Sequence, residues 1–152
     1  MLSCLDYCNS LLVGLPQYLI KRLQGVQNAA VRSILRTSRS EHISPLFQNR
    51  HWLPVNRRML HKAAALCHTS LSGFDPQYLS DLTYAYTPAR SLRSSSDTRI
   101  LSTPNVKLKS YGQCSLVYHG PTTWNSLPLA LRYQQESDCF KRTLKTHLFS
   151  FN

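Results

Sequence analysis

At 152 residues the chain has the length of one ordinary domain, and a hydrophobic content of 42% is enough to build a core, which argues against wholesale disorder. No apolar run approaches the ~20 residues of a membrane-spanning helix, so we expect no membrane insertion. The net charge of +11, from 18 Lys and Arg against 7 Asp and Glu, predicts an anionic partner such as nucleic acid; the alternative is a basic fragment whose acidic partner domain is missing.

The cysteines do not have the pattern of a disulfide framework. There are five, an odd number, and no signal peptide is recognisable. We therefore expect a reducing compartment, the nucleus or the cytoplasm, and no secretion. Cys4 and Cys8 are four residues apart and would share a helix face, which is half of a metal site, but two buried apolar thiols are the favoured alternative. The sequence predicts no metal and no cofactor.

Two helices are predicted near the N-terminus. The first covers residues 4–13, with Ser3 as its N-cap and Gly14 at its end. The second runs from Gln17 to Leu35 and has the strongest helical periodicity in the chain. Its expected buried stripe consists of Leu19, Leu23, Val26, Ala30 and Ile34.

A motif of five residues, His51-Trp52-Leu53-Pro54-Val55, opens a third helix that Gly73 ends. Pro54 suits the first turn of a helix, where its missing N–H would have no partner in any case. A polar linker, residues 38–50, leads into this motif. We expect Trp52 to fold back onto the helix and form the centre of the core. The expected buried stripe is Leu60, Ala63, Ala64, Cys67 and Leu71, whereas Arg57, Arg58, Lys62 and His68 fall on other faces.

A long loop is predicted in the second half of the chain. It follows a short helix over residues 75–82, in which Tyr78, Leu79 and Leu82 face inward. Residues 83–104 are rich in Ser, Arg and Pro and are expected to be extended. Residues 100–109 supply at most one short hairpin arm.

Three short helical elements are predicted after the loop. The first covers residues 111–118, and the second covers residues 129–132 after Pro128. Trp124 is a second aromatic anchor between them. Ser137 caps the last helix, whose expected buried stripe is Phe140, Leu144 and Leu148, with Lys141, Arg142 and Lys145 outside it.

These elements divide the chain into four segments. Residues 1–37 are a helical pair, and residues 38–82 are a central helical segment around the His-Trp-Leu-Pro-Val motif. Residues 83–110 form a basic loop or linker, and residues 111–152 form a carboxy-terminal helical segment. The predicted fold class is mainly α: a small helical bundle with a long Ser/Arg/Pro-rich loop and at most one short hairpin.

The basic residues cluster on the second helix and its exit, at the start of the third helix, and in the loop. The helix cluster has no acid before Glu41, although solvated helix faces usually interleave acids among their cations, and this favours a polyanion. In the loop, Tyr84 and Tyr86 add rings suited to single-stranded nucleic acid, with a solvated linker as the alternative. The candidate nucleic-acid-binding residues are Lys21, Arg22, Arg32, Arg36, Arg39, Arg57, Arg58, Arg90 and Arg93.

The sequence contains no motif for catalysis. Walker loops, dinucleotide fingerprints, His-Glu-x-x-His pairs and nucleophile elbows are all missing. The seven acids are scattered except for Glu136 and Asp138, at a helix start where acids complement the dipole. A Ser, His and Asp triad could be assembled from distant residues, but in so Ser-rich a chain the sequence gives almost no specific support for one. We predict no catalytic residues and no enzyme activity.

Seven short motifs follow one another in a particular order along the chain. They are residues 5–12 (LDYCNSLL), 23–30 (LQGVQNAA), 51–55 (HWLPV), 78–82 (YLSDL), 90–95 (RSLRSS), 124–128 (WNSLP) and 140–149 (FKRTLKTHLF). In this order they resemble the carboxy-terminal part of the LINE-type, non-LTR retrotransposon reverse transcriptase of the Jockey and chicken-repeat group. The resemblance covers nearly the whole chain, and its specificity comes from the order of all seven motifs.

The resemblance implies that residues 4–35 belong to the polymerase thumb and its connection, and that the rest is the carboxy-terminal extension. The family's catalytic aspartates have no positions here, because no Tyr or Phe followed by x-Asp-Asp occurs. Many relatives end in a cysteine and histidine knuckle, but Cys139 and His147 lack the other ligands. The implied partners are RNA or an RNA/DNA duplex, and also the missing polymerase palm or another protein.

The leading expectation is a non-catalytic fragment of the reverse transcriptase whose basic surface binds RNA or an RNA/DNA duplex. The first alternative is a helical protein-interaction module whose apolar faces dock on a protein such as the palm. The second is a truncated element remnant without function.

Overall fold

The computed structural model describes residues 6–7, 9–73, 76–87, 99–108 and 112–150. A 3-10 turn at Asn9–Leu12 precedes the α-helices, which are α1 (Gln17–Leu35), α2 (Ile43–Asn49), α3 (Val55–Leu71), α4 (Gln77–Ser80), α5 (Leu116–Asn125), α6 (Leu129–Arg132) and α7 (Ser137–Ser150). In the described ranges the only strand-like pairing is one antiparallel bridge between Ala85 and Leu101. The predicted mainly α fold is confirmed. None of the described helices combines the length and hydrophobicity needed to cross a bilayer.

Helix α3 is the hub of the fold. The 3-10 turn and helices α1, α4, α5 and α7 all pack on it. Gly120 allows α5 to approach α3 closely, because a Cβ atom at that position would lie 2.9 Å from Cys67 Sγ. His68, expected on an outer face, is buried, whereas Leu71 is 38% exposed. The fully buried positions of α3 are Val55, Met59, Ala63, Ala64, Cys67 and His68.

Trp124, not Trp52, is at the centre of the core. Trp124 is 0% exposed, and its ring lies 5.7 Å from that of Phe140 between centroids. Trp52 is only half-buried, because the short segment before α3 turns its side chain toward a surface cleft. A smaller apolar cluster of Val13, Val55 and Met59 joins the N-terminal segment to α3. The main core consists of Leu53, Ala64, Cys67, Leu101, Trp124, Leu127, Leu131, Phe140, Leu144 and Leu148.

The Trp-Asn pair at the end of α5 holds the returning end of the long loop. Trp124 Nε1 donates to the carbonyl oxygen of Arg99 at 2.7 Å. Asn125 Nδ2 donates to Leu101 O at 2.8 Å, and its Oδ1 accepts from Leu101 N at 3.0 Å. On the other side of the same segment, Tyr86 N donates to the carbonyl oxygen of Ile100 at 2.8 Å. These contacts satisfy backbone groups that have no regular sheet to pair with in the described part of the chain.

The first predicted helix, over residues 4–13, is correct at Asp6 but wrong from Asn9 onward. Asn9–Leu12 is a 3-10 turn, and Gly14 follows with φ of +82°. Asn9 is buried, and its Nδ2 donates to Asp6 Oδ1 at 3.5 Å. Asn is a poor residue for a helix interior, in agreement with the interruption at this position.

Helix α1 has the predicted bounds, but the buried face is rotated from the predicted stripe. Val26 is 48% exposed and Ile34 is 60% exposed, whereas Gln27 is fully buried. Gln27 Nε2 donates to Leu53 O at 3.0 Å, and Gln24 Oε1 accepts from Val55 N at 2.8 Å. Because these amides dock the start of α3, the face that contacts the core is partly polar and hydrophobic periodicity misses it.

One stretch predicted as a linker is helical, and one predicted helix is displaced along the chain. The linker over residues 38–50 contains α2, in which Pro45 occupies the first turn and Phe47 is buried. Helix α5 starts at Leu116 and runs through Pro121, beyond the predicted helix over residues 111–118. Tyr78 on α4 is 65% exposed rather than inward.

The C-terminal helices confirm the prediction. Helix α6 spans Leu129–Arg132 after Pro128, and α7 starts at Ser137. Phe140, Leu144 and Leu148 are the buried residues of α7. The division of the chain into four segments stays a prediction.

His68 makes the core sensitive to acid. Its ring stacks on Phe140 at 4.3 Å between centroids, and its Nε2 lies 2.9 Å from Gln134 O, to which the neutral ring donates. Its Nδ1 is buried without a hydrogen-bond partner in the described part of the chain. Burial lowers the pKa of His68 from its ordinary 6.5, against the raising effect of the hydrogen bond to Gln134. The neutral ring is therefore the folded form.

We expect acid to destabilise the fold. The unfolded chain takes up a proton on this ring near pH 6.5, whereas the folded chain does so only at a lower pH. The contribution of the neutral His68 ring to the free energy of unfolding is therefore fully present above pH 6.5 and is lost as the pH falls toward the lowered pKa of the folded state. Burial lowers the pKa of His61 and His119 in the same direction. Denaturant titrations at several pH values measure the slope. His68→Phe should flatten the slope, and a wild-type slope in that variant would contradict this role.

Candidate nucleic-acid interface

The predicted cations of α1 lie at its two ends. Lys21 and Arg22 are exposed near its start, and Arg36 and Arg39 are exposed beyond its last turn. Arg32 has a different environment, because its Nη2 donates to the carbonyl oxygen of Glu41 at 2.9 Å. That hydrogen bond holds the connection between α1 and α2, so Arg32 has a structural role in addition to its charge.

The end of α1 presents a cationic surface around Thr37. Arg36 adopts a left-handed conformation with φ of 53°, and its N–H donates to Arg32 O to close the helix. One shallow cavity of about 380 Å³ is lined by Arg39, and a second of about 420 Å³ is lined by Arg50. We name this region the α1 exit surface and define it by Arg36, Arg39 and Arg50.

Arg57 and Arg58, adjacent in sequence, line different cavities. Arg58 Nη2 lies 2.6 Å from Asp6 Oδ2 in an ion pair. Arg57 lines a cavity of about 360 Å³ whose other walls include Phe47 of α2 and Phe149 of α7. The structure therefore does not bring the two predicted arginines together.

The predicted loop cations Arg90 and Arg93 lie outside the described residues. Arg99, at the described end of the same loop, is held by the core: its Nη1 donates to Arg132 O at 2.8 Å, and its guanidinium lies 5.5 Å from the centroid of the Tyr133 ring.

A basic cleft lies between the segment before α3, α3 itself and α7. Its volume is about 410 Å³, within the range of small-molecule sites, which runs from roughly 300 to 1,000 Å³. Rings and cations line it together, and the Arg58–Asp6 ion pair closes one side. We name it the basic cleft and define it by His51, Trp52, His61, Lys62, Lys141 and Lys145.

The packing of α7 on α3 assembles the cations of this cleft. Lys141 and Lys145 are one turn apart on α7, beside the residues that α7 buries, and Lys62 lies on α3 next to its buried alanines. Lys141 Nζ is 3.7 Å from Asp138 Oδ1. Because this ion pair is exposed, Asp138 offsets little of the positive charge of Lys141. Lys62 and Lys145 form no ion pair among the described residues. The cleft consequently has an excess of positive charge.

The electrostatics of His61 reflect that excess. Burial lowers the pKa of His61 most; its hydrogen bond with Lys141 O, at 3.3 Å, raises it, and the positive charges of Lys145, Lys141 and Lys62 lower it further. These ammonium groups are thus near enough to oppose a further positive charge in the cleft. A bound anion would reverse that effect.

His51 enters the cleft from a strained backbone position. Its φ is 51°, and its N–H donates to Gln48 O while Trp52 N donates to Phe47 O at 2.9 Å. This is the Schellman end of α2, in which glycine normally occupies the left-handed position. The His51 ring also packs edge-on against Phe149, with 6.2 Å between centroids. The backbone alone would favour glycine, so the imidazole is the group whose presence needs a reason.

Sequence reasoning missed the cleft, although it singled out the motif that supplies its aromatic wall. Lys62, Lys141 and Lys145 were expected only as outward residues, and Trp52 was assigned to the core. The available signal was the repeat of Lys141 and Lys145 on one face of a helix, but its pairing with Lys62 depends on tertiary packing.

No group of three or more His, Cys, Asp or Glu residues within the described ranges could hold a metal ion. Of the described thiols, Cys67 is buried, Cys114 is half-buried and Cys139 is exposed. Burial raises the pKa of Cys67 to about 12, which keeps it an unreactive thiol. Comparisons with protein-family models, with curated proteins and with solved structures find no match to this chain.

Proposed function

We propose that this chain is a non-catalytic, carboxy-terminal part of a non-LTR retrotransposon reverse transcriptase that binds RNA or an RNA/DNA duplex in the nucleus or cytoplasm. The observation that carries the binding proposal is the basic cleft, where Lys62, Lys141 and Lys145 come together from two helices. The α1 exit surface extends the positive charge to a second region. The order of seven sequence motifs supports the assignment to this class of polymerase.

The expected binding mode is neutralisation of backbone phosphates. Lysine ammonium groups bind phosphate as point charges, and each neutralised phosphate releases condensed counterions. Among the described acids, Asp6 is paired with Arg58, so it offsets little of the cleft's charge. Contacts of this kind carry no base information, and the proposed binding is therefore weakly selective for sequence.

The chain is proposed to contribute positioning rather than chemistry. Its sequence lacks the paired aspartates that would hold the polymerase metal ions, and the resemblance assigns this region to the thumb and the extension beyond it. A basic surface in that position would hold template or product while other parts of the polymerase react.

The test is fluorescence anisotropy with labelled RNA and a labelled RNA/DNA hybrid over a range of salt concentrations. We expect log affinity to fall linearly with log salt, with a slope of about 0.7 to 0.9 per neutralised phosphate. The variant Arg36→Gln/Arg39→Gln should weaken binding to all sequences alike and reduce the slope, because both residues are exposed and neither holds the helix connection as Arg32 does.

The matched control is Lys107→Gln/Arg142→Gln, which removes the same charge from exposed positions outside both cationic surfaces. It should change affinity much less than the α1 exit variant. An affinity that does not depend on salt would contradict the proposal, whereas equal losses in the two double variants would exclude the α1 exit surface from the binding site.

A second candidate function is docking of another protein, such as the polymerase palm, on α1. It is favoured by the outward apolar side chains of α1, where Tyr18, Val26 and Ile34 are 64%, 48% and 60% exposed. Gel filtration with light scattering separates the two functions. A monomer that binds nucleic acid and does not self-associate would remove the reason for the docking candidate.

A further inference from the structure

We propose that the basic cleft holds one unstacked nucleotide of a single-stranded nucleic acid, with its base on the Trp52 ring and its phosphate among Lys62, Lys141 and Lys145. This inference rests on the proposed function and gives it a preferred ligand. It also assigns a site that does not include any of the cations predicted on α1. Single-stranded RNA and single-stranded DNA both offer the base and the phosphate that this site would bind.

Trp52 has the placement of a stacking platform. Its side chain is half-buried and lines the cleft, while its neighbour Leu53 is fully buried in the core. The Schellman end of α2 holds its backbone through the hydrogen bond to Phe47 O. A ring anchored in this way loses little conformational freedom when a base stacks on it. Stacking on aromatic side chains is the sequence-tolerant contact that single-strand-binding proteins use.

The cations are positioned for the phosphate of the same nucleotide. Lys62 projects from α3, and Lys141 and Lys145 project from α7, so positive charge enters the cleft from two helices. Their combined effect on His61 indicates that all three lie near one point. A phosphate at that point meets an electropositive site that the Asp6–Arg58 pair does not neutralise.

The size of the cleft favours a single strand. A volume of about 410 Å³ suits one nucleotide, whereas the stacked bases of a duplex hide the faces that Trp52 would contact. A duplex can offer the cleft only phosphates. The same cations would therefore serve both ligands, and the indole would add affinity for the single strand alone.

His51 supports this assignment independently of charge. It occupies a left-handed position that glycine would fill with less strain, and its ring lines the cleft beside Trp52. An imidazole in this place can contact the sugar or the phosphate of a nucleotide stacked on Trp52. His51→Gly should keep the turn intact, because glycine suits its φ, and should weaken single-strand binding.

The experiment compares labelled oligo(U), labelled oligo(dT) and a labelled RNA/DNA hybrid of equal length. For Trp52→Leu we expect about a tenfold loss of affinity for both single strands and little change for the hybrid, while Trp52→Phe keeps most of the affinity. Lys62→Gln/Lys145→Gln should weaken all three probes. Arg142→Gln, exposed on α7 outside the cleft, is the matched charge control. Oligo(dU), which has the base of oligo(U) and the sugar of oligo(dT), shows whether the sugar 2′-hydroxyl contributes.

A second readout follows His61 by NMR. Binding of oligo(U) should raise the pKa of His61, because the phosphate offsets the three nearby ammonium groups. The rise should persist in Arg142→Gln and diminish in Lys62→Gln/Lys145→Gln.

Three outcomes overturn the inference. Equal losses for single strands and hybrid in Trp52→Leu would leave a phosphate site without a base platform, and the proposed function would stand. Unchanged single-strand binding in His51→Gly and Trp52→Leu together would place the ligand elsewhere. Absence of binding to any probe by the folded wild-type chain would remove the proposed function as well.

Discussion

Trp124→Ala is expected to cost about 3–5 kcal/mol of the free energy of unfolding. Trp124 is 0% exposed, packs against Phe140 and lies within the main core between α3, α5 and α7. The alanine variant loses the transfer free energy of the indole and leaves a cavity that the surrounding helices cannot fill completely. A small domain is commonly stable by only about 5–15 kcal/mol, so a large part of its stability would be lost. Denaturant unfolding followed by circular dichroism measures the change.

Two companion variants test the reason for that loss. Trp124→Phe keeps a ring but removes the 2.7 Å hydrogen bond to Arg99 O, and should cost less than the alanine variant. Trp52→Ala should cost clearly less than Trp124→Ala, because Trp52 is half-buried. Equal losses in the two alanine variants would mean that Trp52 belongs to the core after all.

Asn125→Ala is expected to cost about 2–6 kcal/mol, although it removes only a small polar side chain. Asn125 exchanges two hydrogen bonds with the backbone of Leu101, which is 1% exposed. Without the amide, an N–H and a carbonyl oxygen are left buried with no partner, and each such group costs about 1–3 kcal/mol. Thermal or denaturant unfolding of the purified variant measures the loss.

Two further variants test whether the hydrogen bonds between Asn125 and Leu101 cause this loss. Asn125→Asp keeps an acceptor for Leu101 N but places an oxygen against Leu101 O, so it should be at least as destabilising as Asn125→Ala at neutral pH. Ser126→Ala removes a neighbouring hydrogen bond, from Ser126 Oγ to Thr123 O at 2.7 Å, at an exposed residue and should cost much less. If Asn125→Ala were as stable as the wild type, the two hydrogen bonds to Leu101 would not stabilise the fold.

The parts of the fold that the sequence predicted correctly are those set by local chemistry. Pro54 and Pro128 mark the starts of α3 and α6, and Gly73, with φ of 72°, follows the end of α3. The stripe on α7 is also local, because Phe140, Leu144 and Leu148 recur at helical spacing. These signals need no knowledge of what each element packs against.

The errors come from positions where tertiary contacts override local patterns. Gln27 is fully buried because its amide pairs with Leu53 O, 26 residues away, and hydrophobic periodicity counts it as a surface residue. Helix α2 lies in a stretch with few apolar residues, and Phe47 is the one that it buries. The choice between Trp52 and Trp124 as the core residue likewise depends on where Leu101 and Phe140 come to lie.

The candidate site also has one part that the sequence predicts and one part that depends on tertiary packing. The positive charge could be read from composition, and the exposed cations at the ends of α1 lie where a helical pattern places them. The basic cleft could not be predicted, because Lys62 meets Lys141 and Lys145 only when α7 packs on α3. Arg58 is one of the predicted nucleic-acid-binding residues, but in the structure it forms an ion pair with Asp6, 52 residues earlier.

The position of α3 at the hub has a consequence for the order of events during synthesis. Its buried face is covered by α5 and α7, which the ribosome makes well after α3 itself. Until residues 116–150 have emerged, Ala63 and Cys67 have no apolar cover, and the nascent N-terminal half can form α1 and α3 but not its core. We therefore expect the main core to form only after α7 has been made, whereas the smaller cluster of Val13, Val55 and Met59 can form earlier. A chain that terminates before residue 116 would leave the buried face of α3 without the cover of α5 and α7.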